Sequence, residues 1–289
     1  MAAPMALARL VALALVAAST LVATSALALD TARLASATKP SVVLVSLYDA
    51  GGATAGWGTG FFVTADGKLV TNHHVIDEAG RATVSLSDGR VLDVKGILVD
   101  DAEHDIAIVQ VKGGPFPVLP IGDTASLHAG EEVAVVGSPL GLSTTISTGI
   151  VAAVRGDGLS KEVGFETEYH KYTAAWGLQI TAPIAPGSSG SPILNAAGEV
   201  VGVAVGQLLG GQNLNFGIST VYVKAAMTKA SSGVQARPLD ASPDRKRNLA
   251  ISAAAALVCA LLYVIIPRVM RRRAKKRAGL RGAGPVRPR

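Results

Sequence analysis

The sequence predicts an all-β domain, either a sandwich or a pair of barrels. Between about residues 41 and 219, short apolar runs recur with a period close to two, as expected for strands that bury one face. Glycine-rich turn segments separate these runs, and only one stretch, at the end of the region, has helical character. Many short strands with few helices are typical of sandwiches and barrels.

Eight segments are predicted as strands because apolar and β-branched residues are concentrated in them. The pairs Asp66-Gly67 and Asp88-Gly89 lie where hairpins are expected to turn. A helix is predicted at Thr220–Ala230, where it ends the domain. The predicted strands are Val42–Leu47, Gly60–Thr64, Lys68–Thr71, Ala82–Leu86, Ile106–Val111, Glu132–Gly137, Thr148–Val154 and Glu199–Val205.

The N-terminal segment, residues 1–28, is predicted to be a cleaved secretory signal. One early cation, Arg9, precedes an almost unbroken apolar run that ends in Ala26-Leu27-Ala28, the small-x-small form of a signal-peptidase site. The mature chain would then begin near Leu29. Because the apolar run is long, an uncleaved membrane anchor is the alternative.

A second apolar run, Leu249–Ile266, contains no charged residue and is just long enough to cross the hydrocarbon core as a helix. We therefore predict a transmembrane helix at residues 248–267 and, because cations follow it, a basic cytoplasmic tail at residues 268–289. Residues 231–247, rich in Ser, Pro and charge, are predicted as a linker without room for another folded module. The predicted topology is a single-pass cell-membrane protein whose folded domain is extracytoplasmic, either periplasmic or extracellular.

The basic charge of the chain is concentrated in its tail. Residues 268–289 hold ten of the 27 Lys and Arg residues and no acid, which leaves 17 basic against 21 acidic residues elsewhere, a net charge of −4. A short basic run beside a span sets topology and contacts anionic lipid, so membrane lipid is the expected partner and nucleic acid is not. The single cysteine, Cys259, lies in the predicted span, and a chain held together without disulfides fits a bacterial envelope protein.

Two motifs contain residues that could act as a base and its partner. Leu69–Ile76 holds the adjacent histidines His73 and His74, for which zinc binding lacks a Cys or acidic partner at metal spacing and a structural cap is the default alternative. Asp105 opens a strongly apolar strand, where a buried carboxylate needs hydrogen-bond donors. An imidazole N–H is one such donor, and a strand-opening turn is the alternative.

The third motif is the Gly187–Pro192 segment, GSSGSP. Gly/Ser clusters are usually turns, but a serine nucleophile also needs a glycine that aims two backbone amides at one point. Only Ser189 has a glycine two residues before it, Gly187, and another directly after it, Gly190. Ser189 is therefore the candidate nucleophile.

His, then Asp, then Ser, each at the edge of a strand, is the chain order of chymotrypsin-like serine proteases, whereas α/β-hydrolases follow another order. In detail the sequence resembles the HtrA (Deg) branch of that superfamily. This resemblance implies two six-stranded β-barrels, at about residues 36–122 and 123–220, with a closing helix at 220–230, all within a protease domain of residues 36–230. The stretches that carry it are GTGFFVTADGKLVTNHHVI, HDIAIVQV, VAVVGSPLGLSTTISTGIVAAV, PGSSGSPILNAAGEVVGV and NFGIS.

The resemblance also implies the roles of the site residues. His74, which precedes valine in the T-N-x-H-V pattern, becomes the general base, and His73 its variable neighbour. Asp105 orients His74, Ser189 is the nucleophile, and the backbone amides of Gly187 and Ser189 form the oxyanion hole.

The chain departs from the usual pattern of the branch in two places. Ser188 and Ser191-Pro192 stand where Asn and Gly-x are common, and Pro192 removes a backbone donor, which leaves the pairing of its strand in doubt. The predicted linker and span take the place of the PDZ module that often follows the protease.

The resemblance places the floor of the substrate pocket just before the nucleophile and on the strands after it. No acid occurs at these positions, so we expect cleavage after small or medium apolar residues. The expected pocket residues are Pro183, Val203 to Val205 and Asn215 to Gly217.

The leading hypothesis is an exported, membrane-anchored serine endopeptidase that forms an acyl-enzyme and contributes to envelope protein quality control. Its expected partners are protein or peptide substrates. We expect no cofactor and no metal. Homo-oligomers are compatible with the sequence. One alternative is a catalytically silent module that binds peptides on a protease fold. Another is a membrane-surface scaffold organised by the basic tail.

Overall fold

The computed structural model describes residues 29–77, 79–138, 145–155, 177–207 and 213–239. The predicted signal, membrane span and basic tail, and residues 240–247 of the predicted linker, lie outside these ranges. No helix within the ranges has both the length and the apolar character needed to cross a membrane.

Six antiparallel strands form the first barrel. It closes in the order β1-β2-β3-β6-β5-β4, so that β4 returns to pair with β1. The strands are β1 (Val42–Tyr48), β2 (Thr54–Phe62), β3 (Lys68–Thr71), β4 (Arg81–Ser85), β5 (Val91–Asp101) and β6 (Ile106–Val111).

Six further strands form a second closed barrel. Its order, β7-β8-β9-β12-β11-β10, repeats that of the first barrel when the strands are renumbered from one to six. The prediction of an all-β fold with two six-stranded barrels is therefore confirmed. These strands are β7 (Glu132–Gly137), β8 (Thr145–Val154), β9 (Leu178–Ile180), β10 (Pro192–Leu194), β11 (Val200–Gln207) and β12 (Asn215–Ser219).

Three α-helices accompany the barrels in the described ranges. They are α1 (Thr31–Thr38), the single turn α2 (His73–Ile76) and α3 (Thr220–Ser231). Two 3-10 turns, Lys39–Ser41 and Thr124–Ser126, precede the first barrel and β7 respectively. The helix predicted at Thr220–Ala230 is confirmed, but α1 was not predicted.

All eight predicted strands are present, with ends that differ by up to three residues except at β2, which begins six residues before the predicted start. Both Asp-Gly turns are present: the amide of Gly67 donates to Thr64 and that of Gly89 to Leu86, at 3.1 and 3.0 Å. Pro192 begins β10 and pairs with Val203 of β11, while pairing with β7 starts one residue later. The doubt about this strand is resolved, because a proline at the first position of a strand costs the sheet no ladder bond.

The hydrophobic core has three parts. One cluster fills the first barrel and another the second. The third cluster joins Phe61 and Ile108 of the first barrel to Leu194 and Ile218 of the second, with Val223 of α3 packed into it. This shared cluster holds the barrels in one fixed arrangement, which the site between them requires.

Candidate active site

His74 and Asp105 are hydrogen-bonded through two pairs of atoms. The Nδ1 atom of His74 lies 2.7 Å from Oδ2 of Asp105, and the backbone amide of His74 donates to Oδ1 at 2.9 Å. A carboxylate only accepts, so Nδ1 carries the proton in this contact. Asp105 is fully buried, whereas the His74 ring is partly exposed. The arrangement fixes the ring plane and presents Nε2 as a base.

The backbone of Asp105 is itself held in an unusual conformation. Its φ angle is 55°, in the left-handed region that Asp tolerates better than most residues. The Asp105 carbonyl accepts from Nδ2 of Asn72 at 2.9 Å and from the amide of His73 at 3.2 Å. The turn α2 and the start of β6 therefore bind each other through both main chain and side chain.

The loop that carries Ser189 bends through two glycines with positive φ, Gly187 at 92° and Gly190 at 86°. Within the described part of the chain, no acceptor is bound by the amide of Gly187 or of Ser189. Ser189 Oγ donates to the carbonyl of Val205 at 3.1 Å. The loop thus offers two amides and one hydroxyl to a bound molecule.

Thr59 of β2 joins this loop to the first barrel, and sequence reasoning did not single it out. Its amide donates to the Ser189 carbonyl and its Oγ1 to the Gly187 carbonyl, both at 2.8 Å. The same Oγ1 accepts from the amide of Ser138 at 3.0 Å. The only sequence signal was its place between two glycines in the G-T-G-F stretch.

The approach of the loop to the first barrel is close enough to require glycine. A methyl group at Gly190 would lie 2.0 Å from the Thr59 carbonyl oxygen and 2.5 Å from Oγ1 of Thr71. At Gly58 a methyl group would meet Val75 of α2 at 2.7 Å and the Ser189 carbonyl oxygen at 3.3 Å. The histidine turn and the serine loop therefore adjoin across the start of the buried part of β2.

His73, expected to be a variable neighbour, is a buried and paired residue. Its Nδ1 contacts Oδ1 of Asp100, and its Nε2 lies 3.6 Å from Oδ1 of Asp77. Burial alone would lower the pKa of His73, but the hydrogen bond to Asp100 and the charges of Asp100, Asp77 and Asp105 raise it above its ordinary value. The neighbouring carboxylates therefore stabilise the protonated ring relative to the same ring in water.

The two unusual serines of the loop have different surroundings. Ser188 is buried, and its Oγ accepts from the Ala185 amide at 3.4 Å, while its own amide donates to Ala185 at 2.9 Å. Ser191 is fully buried, and its hydroxyl has no hydrogen-bond partner among the described residues. Neither side chain reaches the amides of Gly187 and Ser189.

The expected pocket residues are distributed around the second barrel. Pro183 is exposed and its carbonyl accepts from Ser147 at 2.9 Å, whereas Val203 and Val205 pack in the shared core cluster. Asn215 is buried, and a methyl group at Gly217 would lie 2.3 Å from Ile193, so packing in the barrel accounts for that glycine. Among these described residues, only Val205 is hydrogen-bonded to Ser189, through its carbonyl. The role of these residues in specificity stays a prediction.

A profile of the trypsin-like peptidase domain matches residues 58–203, half of the chain. The chain belongs to the trypsin-like peptidase family. The match contains the second part of β2, the histidine turn, Asp105 and the serine loop, so the three candidate catalytic residues lie inside it. The prediction of a serine endopeptidase domain is confirmed at the level of this family.

Relatives of this trypsin-like peptidase include HtrA-type proteins. It is 39% identical over 163 residues to HhoB of Synechocystis sp., named as a serine protease, covering 56% of this chain and 37% of that protein. A protein of Chlamydia trachomatis named "probable periplasmic serine endoprotease DegP-like" is 32% identical over 195 residues, 63% of this chain and 37% of its own. The chain thus spans less than half the length of these relatives.

The fold is similar to that of a solved HtrA-type protease, AlgW with a tripeptide. The TM-score is 0.60 at 24% identity, covering 70% of this chain and 64% of the other. The likeness shows that the two chains share this fold.

Proposed function

We propose that this protein is a membrane-anchored serine endopeptidase that hydrolyses polypeptides with Ser189, His74 and Asp105. The observation that carries the proposal is the doubly bonded His74–Asp105 pair, which holds the ring through Nδ1, beside a serine loop whose two amides have no acceptor among the described residues. A binding surface alone would not need a histidine held in one tautomer.

The chemistry follows from these contacts. The Ser189 Oγ proton passes to Nε2 of His74 while Oγ bonds to the substrate carbonyl carbon, and the carbonyl electron pair moves onto oxygen. The amides of Gly187 and Ser189 stabilise that oxyanion. The carbon–nitrogen bond then breaks as His74 returns the proton to the leaving amine, and water hydrolyses the acyl-serine by the same steps in reverse.

In this structure Ser189 Oγ donates to the carbonyl of Val205 and not to Nε2 of His74. Attack requires that this hydrogen bond be exchanged for one to Nε2 of His74. Catalytic hydrogen bonds are often completed only when substrate binds. Asp105, bonded to Nδ1, would keep the ring oriented while the proton is transferred.

We place the activity on the extracytoplasmic side of a cell membrane, in envelope protein quality control. Support comes from the apolar residues 248–267 with their basic flank and from the periplasmic DegP-like name of a relative. The substrates are proteins or peptides, cleaved after small or medium apolar residues because no acid occurs among the expected pocket residues.

The proposal is tested by covalent labelling of the full chain in detergent with a fluorophosphonate, together with hydrolysis of a peptide library. Ser189→Ala is expected to abolish labelling and to lower kcat/KM by about 10³- to 10⁶-fold, with His74→Ala similar and Asp105→Asn lower by about 10⁴-fold. Ser188→Ala, which removes the neighbouring hydroxyl, is the matched control and keeps the activity. A folded wild type that binds peptides without labelling or turnover would instead establish the catalytically silent binding module.

A further inference from the structure

A C-terminal strap, residues 234–239, follows α3 and lies against the first barrel. The amide of Ile97 on β5 donates to the carbonyl of Arg237 at 2.7 Å, and the amide of Arg237 donates back to Ile97 at 2.9 Å. Leu239 packs on the core of the first barrel. Gly96 makes room for the strap, since a methyl group there would lie 2.2 Å from the Arg237 carbonyl oxygen.

The strap places the positive charge of Arg237 at the exposed end of a row of three side chains that leads to the buried His73 ring. The Arg237 guanidinium contacts Oδ2 of Asp100, whose Oδ1 contacts Nδ1 of His73. Side-chain exposure falls along this row from 53% at Arg237 to 19% at Asp100 and 7% at His73. One carboxylate therefore binds a surface cation with one oxygen and a buried ring with the other.

This row ends one residue from the proposed catalytic base. The amide of His73 donates to the carbonyl of Asp105, and the amide of the next residue, His74, donates to the Asp105 carboxylate. Any displacement of the His73 backbone therefore changes the bonds that orient the His74 ring. Small displacements of this kind matter because catalytic groups must be held in position to within a fraction of an ångström.

We propose that Arg237 and His73 are positioning residues of the triad, and that docking of the strap on β5 holds the His74–Asp105 pair in its working geometry through Asp100. This inference rests on the proposed peptidase function. Neither residue touches the substrate or the reacting atoms, so both are expected to affect kcat more than KM.

The charges around His73 support the assignment. Asp100 faces the ring from β5, Asp77 from the end of α2 and Asp105 from the start of β6, so that three carboxylates raise the pKa of His73 against the effect of burial. Burial alone would raise the pKa of Asp100, but the bond to His73 and the charges of His73 and Arg237 lower it. A protonated His73 can donate to Asp100 through Nδ1 while its Nε2–H lies 3.6 Å from Oδ1 of Asp77, whereas the neutral ring has only one N–H to give.

Two kinds of variant distinguish the effect of the Arg237 charge from the effect of docking the strap on β5. Arg237→Gln removes the cation, and Arg237→Lys keeps the charge but loses the planar fork. Gly96→Ala displaces the strap backbone without altering any charged group. Arg90→Gln, at another exposed arginine paired with an aspartate, and Gly89→Ala, at a positive-φ glycine with open space around it, are the matched controls.

Each variant is measured in the full chain in detergent by the fluorophosphonate labelling rate, by kcat and KM, and by the NMR resonance of the His74 Nδ1–H proton. Arg237→Gln and Gly96→Ala are expected to lower kcat and the labelling rate by about 3- to 30-fold with KM within about twofold, and to shift the His74 resonance. Arg237→Lys should recover part of the rate, and both controls should match wild type.

Wild-type rates and an unchanged His74 resonance in both Arg237→Gln and Gly96→Ala would overturn the inference. A wild type that is folded but not labelled would refute the proposed peptidase function. The NMR resonance would then still decide whether the strap positions His74. The two failures are therefore distinguishable.

Discussion

At the scale of single residues, the hydroxyl of Thr59 makes contacts that a methyl group of the same shape cannot make. It donates to the Gly187 carbonyl and accepts from the Ser138 amide, and the residue is fully buried. Removing a buried hydroxyl that satisfies two backbone groups leaves both without a partner. Its role in the site is therefore to set the position of the Gly187 amide.

Thr59→Val tests this role. We expect kcat/KM to fall by about 10- to 100-fold, because the Gly187 carbonyl loses its donor and the oxyanion amide beside it loses its fixed direction. Thr59→Ser, which keeps the hydroxyl, should retain most of the activity in the same peptide assay. Thr83→Val is the control, since the buried Thr83 hydroxyl has no partner among the described residues. Equal loss in both valine variants would contradict the assignment.

The pH dependence of stability follows from His73. The pKa of His73 is higher in the folded state than in the unfolded chain, where it is 6.5. The protonated ring therefore contributes its full stabilisation when the pH is below 6.5, and this contribution is lost as the pH rises through the folded-state pKa. The free energy of unfolding lost in His73→Gln, measured by urea titration, is therefore expected to be largest below pH 6.5 and to shrink above it. His128→Gln, at an exposed ring paired with Glu131, is the control. If the free energy of unfolding lost in His73→Gln does not change with pH, the stabilising role of the protonated His73 ring is refuted.

At the scale of elements, the closing helix α3 connects the barrels. Val223, Ala226 and Ala230 are buried in the shared cluster. The first turn is fixed by Thr220, whose amide donates to Oγ1 of Thr124 at 2.8 Å, and that hydroxyl donates to the carbonyl of Val201 at 2.6 Å. The helix thus stabilises the arrangement of both barrels as well as its own end of the chain.

Two valines on α3 give a matched pair. Val223 is fully buried and Val221 is 58% exposed. Val223→Ala is expected to lower the free energy of unfolding by about 2–3 kcal/mol through lost burial and the cavity left behind. Val221→Ala is expected to change it by less than about 0.5 kcal/mol. Chemical denaturation of the two variants checks the difference, and similar losses would show that α3 is not packed on the shared core.

Strands with clear apolar patterns could be predicted from sequence, and the others could not for physical reasons. The long strand β5 contains Asp93, Lys95 and Gly96, and its register shifts between Val94 and Gly96 interrupt the alternation. Strands β9 and β10 have three residues each, too few to show a period of two. Helix α1 buries only Leu34 and Thr38, so it lacks the apolar stripe of a packed helix.

At the scale of the whole molecule, the two barrels share one strand order although no repeat could be defended in the sequence. Barrel topology depends on which strands pair, and many different apolar sequences satisfy the same pairing. The three motif residues could be found because their chemistry restricts them to particular residue types. Thr59, Asp100 and Arg237 could not, since their importance depends on contacts between segments far apart in the chain.

The contacts of Thr59 also make assembly of the candidate site depend on both barrels. The histidine turn belongs to the first barrel and the serine loop to the second, and that loop is fastened by an amide and a hydroxyl from the first. Synthesis completes the first barrel while the serine is still unmade, and the second barrel alone lacks the fastening. A complete site therefore requires both barrels to be folded and docked.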